Sequence, residues 1–284
     1  MKRIFSRAVL PLVLAAVVCV LPACNDDDDN NGDKRFSELQ GSYELTTVEK
    51  DNGGGTINNL SLTITPTWVD ADKLPTVDIS AIMGYSAGTM VVGLADMMNM
   101  MEPLLANIVM KGLVELDLND DGTLGARYHE FQSQGSIAAD FMAPKFAEAV
   151  SVFPGESDPL PADALQYYTK GGKIYFGVSK DFISGLDESL GSIIDEMLSE
   201  YKTLPVVSTD KLYALPLQYT NKDGVLKVYL DRATLAPFAP LIPVLLQLVG
   251  DGVDLGGIDI NDIVTKLIAS TSELEIAIYL KPTI

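Results

Sequence analysis

Alternating apolar and polar positions recur along the chain at intervals of about fifty residues. They flank three short turns that contain Gly122, Gly172 and Gly224, so the turn glycines are 50 and 52 residues apart. Asp-Gly and Gly-Gly pairs suit the positive φ angles of two-residue turns, and each copy therefore predicts a β-hairpin. We interpret residues 60–80, with polar positions at their centre, as a degenerate earlier copy. The chain then closes on an alternating strand whose apolar positions are Leu274, Ile276, Ile278 and Leu280.

Apolar residues at helical spacing lie between and after these hairpins. In the first stretch they recur three and four residues apart, as on one face of a helix; its members are Met90, Leu94, Met97, Met98, Met101, Leu105, Ile108 and Val109. A second stretch contains Ile183, Leu186, Leu190, Ile193, Ile194, Met197, Leu198 and Tyr201, and a third contains Ile260, Ile263, Val264, Leu267 and Ile268. The pattern predicts an α+β fold: an antiparallel sheet of repeated β-hairpins, each followed by an apolar helix packed on one face.

The first 23 residues have the pattern of a secretory signal. Three basic residues and no acidic one precede an apolar run over residues 8–21, which is too short to span a bilayer comfortably. The run ends in Leu21-Pro22-Ala23-Cys24, which resembles the lipobox of bacterial lipoproteins, with Pro22 departing from its commonest form. The resemblance implies cleavage before Cys24 and acylation of that cysteine, which would anchor the mature chain to a membrane. The alternative is an ordinary signal peptide with an incidental cysteine.

An acidic segment follows the cysteine. Residues 25–33 contain five aspartates, which repel one another and bury nothing, so residues 24–35 are predicted to be an extended, disordered tether. Such a run directly after a lipidated cysteine resembles the surface-export signal of Bacteroidota lipoproteins, which implies display on the outer membrane at the cell surface. The alternative is a solvated spacer. The folded part is predicted to be a single domain over residues 36–284.

Charge and cysteine content exclude several classes of function. Cleavage of the signal would leave 17 basic against 39 acidic residues, a net charge of −22, which argues against binding nucleic acid or anionic lipid by charge. Cys19 would leave with the signal and Cys24 would be acylated. The domain would then have no thiol for a disulfide, a nucleophile or a zinc site. We therefore expect no cofactor, no metal, and attachment to the membrane only through Cys24.

The first predicted strand of the domain contains Leu39-x-Gly41-x-Tyr43. This start is similar to the Leu-x-Gly-x-Trp start of lipocalin-like domains, which occur among lipoproteins of the same bacteria, and it has Tyr in place of Trp. The resemblance implies a curved sheet that could enclose an apolar ligand. The helices predicted between the hairpins depart from a continuous lipocalin barrel.

One short motif suggests catalysis. Gly84-x-Ser86-x-Gly88 matches the nucleophile turn of α/β-hydrolases, whose mechanism needs a histidine as base. The chain has a single histidine, His129, which alternation places on the solvent side of a strand. The alternation of strands and helices that a hydrolase sheet requires is also missing from the pattern. We therefore interpret the motif as a turn before a helix, predict no catalytic residue, and keep a Ser86 hydrolase as the third hypothesis.

A second motif suggests calcium. Asp117-x-Asn119-x-Asp121-Gly122 begins like an EF-hand loop, but the twelfth position, which must supply a bidentate glutamate, is Tyr128. The same residues follow the alternating pattern of a strand that enters a hairpin. We therefore interpret them as a hairpin turn, with a weak calcium site as the alternative.

Methionine is concentrated in one stretch of the chain. Seven of the ten methionines lie between Met83 and Met110, most of them at helical spacing. Flexible, polarizable methionine packs cores and also suits varied hydrophobic ligands. We therefore predict a non-enzymatic protein that holds a hydrophobic or lipid-like molecule between a small sheet and an apolar helix, with a glycan- or protein-interaction module as the alternative. The predicted ligand-binding residues are Met90, Met97, Met98 and Met101.

Overall fold

The structure is a computed structural model. It describes residues 39–51, 55–80, 83–84, 88–134, 137–153, 161, 163–186, 188–241 and 260–283. The predicted signal, Cys24 and the predicted acidic tether lie outside the described residues. Within the described ranges, no helix is both long enough and apolar enough to cross a bilayer.

Strands dominate the described part of the chain. They are β1 (Gly41–Leu45), β2 (Val48–Asp51), β3 (Thr56–Leu60), β4 (Leu62–Trp68), β5 (Thr76–Asp78), β6 (Val91–Gly93), β7 (Leu113–Leu118), β8 (Leu124–Gln132), β9 (Lys145–Phe153), β10 (Leu165–Lys170), β11 (Lys173–Ser179), β12 (Val207–Ser208), β13 (Leu212–Lys222), β14 (Val225–Asp231) and β15 (Thr271–Pro282). The helices are α1 (Leu94–Gly112), α2 (Ile137–Met142), α3 (Lys180–Leu186), α4 (Glu188–Glu200), α5 (Arg232–Leu235) and α6 (Ile260–Ser270), with 3-10 turns at Ala71–Lys73 and Ala236–Leu241.

Eleven of the described strands form one antiparallel sheet. Its main path runs β10-β11-β13-β14-β15-β1-β7-β8-β9, and β12 adds to β13. The last strand of the chain, β15, is the centre of this sheet because one of its edges pairs with β14 along its length. Its other edge is divided between β4, opposite residues 271–278, and β1, opposite residues 280–282. The fold is therefore α+β and mostly antiparallel, as predicted.

The three hairpins predicted around turn glycines are confirmed. β7 pairs with β8, β10 with β11 and β13 with β14, each antiparallel. Gly122, Gly172 and Gly224 have φ angles of 84°, 77° and 77°, a conformation that favours glycine. Asp223 precedes Gly224 with φ 54°, so this turn has two successive positive φ values, as type I′ hairpin turns require.

The predicted earlier hairpin at residues 60–80 is wrong. Its first half is β4, which pairs with β15, while its second half contains β5, which pairs with β6. The physical reason is that Leu62 and Ile64 are buried and face Ile278 and Ile276 across the sheet. Asp70 then caps a 3-10 turn that redirects the chain. The long helix α1 consequently follows no hairpin, and the repeated hairpin-then-helix unit is not confirmed.

The sheet is curved, so that β10, at one end of the strand order, reaches the turn between β7 and β8 near the other end. Thr123, in the β7–β8 turn, forms an isolated antiparallel bridge with Gln166 of β10. Tyr167 strengthens this contact, because its backbone N–H donates to the Gly122 carbonyl at 2.8 Å and its hydroxyl donates to the Asn119 carbonyl at 2.8 Å. The strands themselves do not close, so the described sheet is curved without forming a closed barrel.

Two hydrophobic cores lie side by side on the same face of β15. What we call the first core packs the curved sheet against α3 and α4, and the second core packs β4 and β15 against α1 and α6. Along β15, Leu274 belongs to the second core and Leu280 to the first, and Ile278 between them contacts both. Alternation in β15 therefore directs one row of side chains into two neighbouring cores.

One predicted core residue of the second helical stretch is on the surface. The stretch forms α3 and α4, and Ile194, Met197 and Leu198 are buried as the spacing predicts. Ile193 is exposed instead. It lies about 100° around the helix from Ile194, at the edge of the apolar stripe, where the packed sheet no longer covers it.

Candidate functional site

Three of the four predicted ligand-binding methionines lie together in the second core. Met97, Met98 and Met101 are buried on the face of α1 that also carries Leu94. Residues three and four apart on a helix share a face, so the local sequence is sufficient to direct all of them inward. The prediction that these side chains bind a ligand is not tested by their burial alone.

Met90 does not belong to the helix in which the spacing placed it. It precedes β6, and α1 begins only at Leu94. Its backbone N–H donates to the Ser80 hydroxyl oxygen at 2.7 Å, and that hydroxyl donates to the Asp78 carboxylate at 2.5 Å. The hydrogen bonds from Ser80 lower the pKa of Asp78. This network and the β5–β6 pairing hold Met90 against the second core, so it joins the other methionines through a strand.

Methionine is far commoner in the second core than in the first. Met197 is the one methionine that the first core contains among its described residues. The methionines of the second core, which we call the methionine cluster, are Met83, Met90, Met97, Met98, Met100 and Met101. Each has an unbranched side chain with three rotatable bonds, so the cluster can repack around shapes that leucine or valine cannot follow.

A buried ion pair borders the methionine cluster. Glu102 of α1 is 1% exposed, and its Oε1 lies 2.6 Å from Nζ of Lys50 in β2. The same oxygen accepts the backbone N–H of Ile64 in β4 at 2.5 Å. Lys50 Nζ also donates to the Ile64 carbonyl at 2.6 Å. These bonds join α1, the β2–β3 hairpin and the main sheet at one point.

The sequence contains a signal for this pair. Glu102 is four residues after Met98 and one after Met101, so it lies within the predicted apolar stripe of α1. A carboxylate in that position is buried, and a buried carboxylate needs a cation or hydrogen-bond donors. Ala106, four residues later, completes the contact because its carbonyl accepts the Ser61 hydroxyl at 2.8 Å. The sequence could not identify Lys50 as the partner, which is 52 residues away.

Exposed apolar residues lie next to the second core along the chain. Val69, Val91 and Met110 are all exposed. Each is adjacent to a residue that packs against this core, namely Trp68, Val92 and Val109. These three are therefore apolar surface positions that lie close in sequence to the second core.

The structure does not bring a hydrolase site together from the described residues. Ser86 lies outside them. His129 is half-buried on β8, opposite Val150 of β9, and its Nδ1 is 3.0 Å from the Ala147 carbonyl oxygen. Tyr128 beside it packs against the first core, so His129 points away from that core as predicted.

The residues of the calcium-like motif make the hydrogen bonds of a hairpin. Asp117 accepts the Ser42 hydroxyl at 2.6 Å, and the amide of Asn119 donates to the Thr123 hydroxyl at 3.0 Å. Asp121 accepts both the Thr123 N–H and its hydroxyl, and these bonds lower the pKa of Asp121. Within the described ranges, no group of three or more His, Cys, Asp or Glu side chains could hold a metal ion.

The tyrosines of β10 and β11, which bear on the glycan-binding alternative, include a closely stacked pair. Tyr168 and Tyr175 lie on paired positions of β10 and β11, with ring centroids 4.6 Å apart and planes 6° apart. Tyr168 is buried, and burial raises its pKa to about 12. Tyr167, its neighbour, is buried on the opposite face in the first core. The buried rings of Tyr167 and Tyr168 therefore lack the exposed face that stacking on a sugar requires.

Comparison with known proteins leaves the site to be interpreted from its own chemistry. The chain matches no protein-family model, no curated protein and no solved structure. The strongest candidate site in the described part of the chain is therefore the second core, with the methionine cluster and the Lys50–Glu102 pair.

Proposed function

We propose that this chain is a lipid-anchored, non-enzymatic surface protein that holds a hydrophobic or lipid-like molecule in its second core. The observation that carries the proposal is the methionine cluster, whose members lie on α1 and in the chain that precedes β6. Methionine gains less from a single fixed packing than branched side chains do, and it adapts to guests of varied shape.

The sheet beside this site is larger than the one that the sequence predicted. The sequence predicted more apolar helix surface than a small sheet could cover, and that excess favoured a bound ligand. The sheet has eleven strands and is not small, so that reason no longer holds. What supports the proposal is the difference in composition between the two cores.

Binding of a neutral fluorescent dye tests the proposal. We expect the full-length chain to bind N-phenyl-1-naphthylamine and to carry lipid in native mass spectrometry. Replacing Met97, Met98 and Met101 together by leucine conserves volume, and such swaps cost less than about 1.5 kcal/mol each. The triple variant should fold but bind the dye several-fold more weakly, because leucine repacks less freely. Met197→Leu, in the first core, is the matched control and should bind like the unmodified chain.

Two results would contradict this proposal. One is the absence of both dye binding and bound lipid in the unmodified chain. The other is equal dye binding by the triple leucine variant and the Met197→Leu control, because the methionine cluster would then have no part in binding.

The proposed anchor has its own test, which uses the two cysteines. Cells that express the chain are grown with labelled palmitate, and the label in the protein is measured. We expect Cys24→Ala to lose the label and to leave the membrane fraction, whereas Cys19→Ala keeps both. Label on the Cys24→Ala chain would contradict acylation at that residue.

The proposed surface display depends on the acidic segment. Replacing the aspartates at 26–29 by asparagine keeps the length and polarity of the segment and removes four charges. We expect the variant to remain in the membrane fraction but to resist protease added to intact cells. Equal cleavage of both chains would show that the run is only a spacer.

The finer prediction about the fold also stays a proposal. We propose that the three hairpins, each with an apolar helix after it, are internal repeats of a unit of about fifty residues. The spacing of their turn glycines and the shared positive φ angles support it. The helices differ greatly in length, from the four residues of α5 to the thirteen of α4.

A further inference from the structure

The ion pair beside the methionine cluster has a donor to spare. The ammonium group of Lys50 carries three N–H donors. One donates to Glu102 Oε1 and one to the Ile64 carbonyl, each at 2.6 Å. No other acceptor among the described residues takes the third donor. A ligand atom with a lone pair is a suitable partner for it.

Access to the pair is one-sided. The Lys50 side chain is 18% exposed, whereas the Glu102 side chain is 1% exposed. A head group that enters from solvent therefore meets the Lys50 side chain before the carboxylate of Glu102. Met98 and Met101 lie beside Glu102 on the same face of α1, so a chain that extends inward from Lys50 runs into the methionine cluster.

The charge of the pair decides which head group fits. Lys50 and Glu102 already neutralise each other. A carboxylate head would add a second anion near the buried Glu102, in a chain with a net charge of −19, and a buried excess charge is costly. An ammonium head would compete with Lys50 for a carboxylate that solvent scarcely reaches. An uncharged acceptor, such as a ketone, an ester or a hydroxyl oxygen, adds a hydrogen bond without adding charge.

We propose that Lys50, held by Glu102, is the head-group subsite for an uncharged amphiphile that bears a hydrogen-bond acceptor, with its tail in the methionine cluster. This inference rests on the proposed function, because it needs a ligand in the second core. A hydrogen bond to a charged group gives about tenfold or more in affinity. The preference for an acceptor should therefore be large enough to measure with simple probes.

The test uses four probes with twelve-carbon chains: 2-dodecanone, dodecane, dodecanoate and dodecylamine. Each displaces N-phenyl-1-naphthylamine from the full-length chain at pH 7. We expect 2-dodecanone to bind about tenfold more tightly than dodecane, because only the ketone can accept from Lys50. Dodecanoate and dodecylamine should both bind more weakly than the ketone.

A double variant assigns that preference to the pair. Lys50→Met with Glu102→Met removes both charges and keeps an apolar core, a replacement that buried ion pairs often tolerate. In this variant 2-dodecanone and dodecane should bind equally. The matched control is Lys227→Met with Glu275→Met, which removes a pair of 2.6 Å between the central strands β14 and β15 and should keep the tenfold preference. If the double variant does not fold, the order of the four probes on the unmodified chain decides.

The outcomes separate this inference from the proposed function. If neither the dye nor any probe binds, the proposed function fails. If dodecane and 2-dodecanone bind equally to the unmodified chain, or dodecanoate binds most tightly, the head-group inference is overturned and the hydrophobic site stands. If dodecylamine binds most tightly, Glu102 is the recognising group and the assignment to Lys50 is overturned.

Discussion

The two cores of this chain lie on the same face of β15 and differ in the residue types that fill them. The first core contains leucine, valine and aromatic residues, and the hydroxyls of its buried tyrosines have protein partners: Tyr167 donates to the Asn119 carbonyl and Tyr213 to Asp195 at 2.9 Å. The second core has the methionine cluster and an ion pair where the first has its tyrosines. The comparison shows that a single sheet can carry a core rich in aromatic residues beside a core rich in methionine. Methionine side chains are flexible, and we therefore call the second core the adaptable one.

The difference indicates how a core with flexible side chains can still hold its helix in position. Branched and aromatic side chains have few rotamers, so they fix the curvature of the sheet and the position of α3 and α4. Methionine specifies its packing less, and the second core compensates with bonds from Lys50, Ile64 and Ser61 that fix α1 on β4. Polar contacts thus position the helix while the apolar contacts between them remain adjustable.

Breaking the ion pair should have the largest effect. Glu102→Ala would leave the Lys50 ammonium without its carboxylate and the Ile64 N–H without its acceptor. We expect a loss of about 3–5 kcal/mol in the free energy of unfolding, measured in urea. The control is Asp262→Ala, which breaks an exposed 2.6 Å pair with Lys266 in α6 and should cost about 0.3–0.5 kcal/mol. Equal losses in the two variants would mean that the pair does not organise the second core.

Truncating a buried side chain to alanine should lower the free energy of unfolding less in the second core than in the first. Leu215 in the first core and Met101 in the second are both buried. Truncation of either to alanine falls in a range of about 2–5 kcal/mol, and the value depends on how far neighbours fill the space. We expect Leu215→Ala near the upper end and Met101→Ala near the lower end, from urea unfolding of both variants. A larger loss for Met101→Ala would contradict the contrast between the cores.

High pH should act on the first core, because no residue of the second core is a tyrosine among those described. Burial raises the pKa of Tyr167 from 10.0 to about 12 and raises that of Tyr213 as well. The raised pKa means that the unfolded chain loses its proton first. The stabilising contribution is therefore complete below pH 10 and is lost as pH rises through about 12.

Tyr167→Phe sharpens that prediction. The variant lacks the bond to the Asn119 carbonyl, so it should be about 1 kcal/mol less stable at pH 7. Phenylalanine does not ionise, so the gap between variant and unmodified chain should narrow between pH 10 and pH 12. Urea unfolding at pH 7 and pH 11 measures both effects. A gap that stays constant or widens with pH would show that folding does not raise the pKa of Tyr167.

Local features of the fold could be predicted from the sequence, and distant pairings could not. The hairpins at Gly122, Gly172 and Gly224 depend on turn residues and alternation within about fifteen positions, so the pattern was sufficient. The pairing of β15 with β4 joins Thr271 to Trp68. Nothing in either segment selects the other, because any strand with the same alternation would pair as well.

The same distinction holds for the candidate site. Spacing alone directed Met97, Met98 and Met101 to one face of α1, and it failed for Met90 because β6 interrupts the helical pattern. The Lys50–Glu102 pair needed tertiary structure, since its members lie on a strand and a helix that no local rule brings together. Side chains that share one face of a helix could be predicted from the sequence, whereas a contact between a strand and a distant helix could not.

The most direct test of the adaptable core is a methyl spectrum of the methionines. The full-length chain is labelled with ¹³C at the methionine methyl groups, and single Met→Leu variants assign the signals. On addition of 2-dodecanone, we predict that the signals of Met97, Met98 and Met101 shift while that of Met197 in the first core stays in place. A shift at Met197 with none in the methionine cluster, or bound probe with no shift in the cluster, would contradict the account.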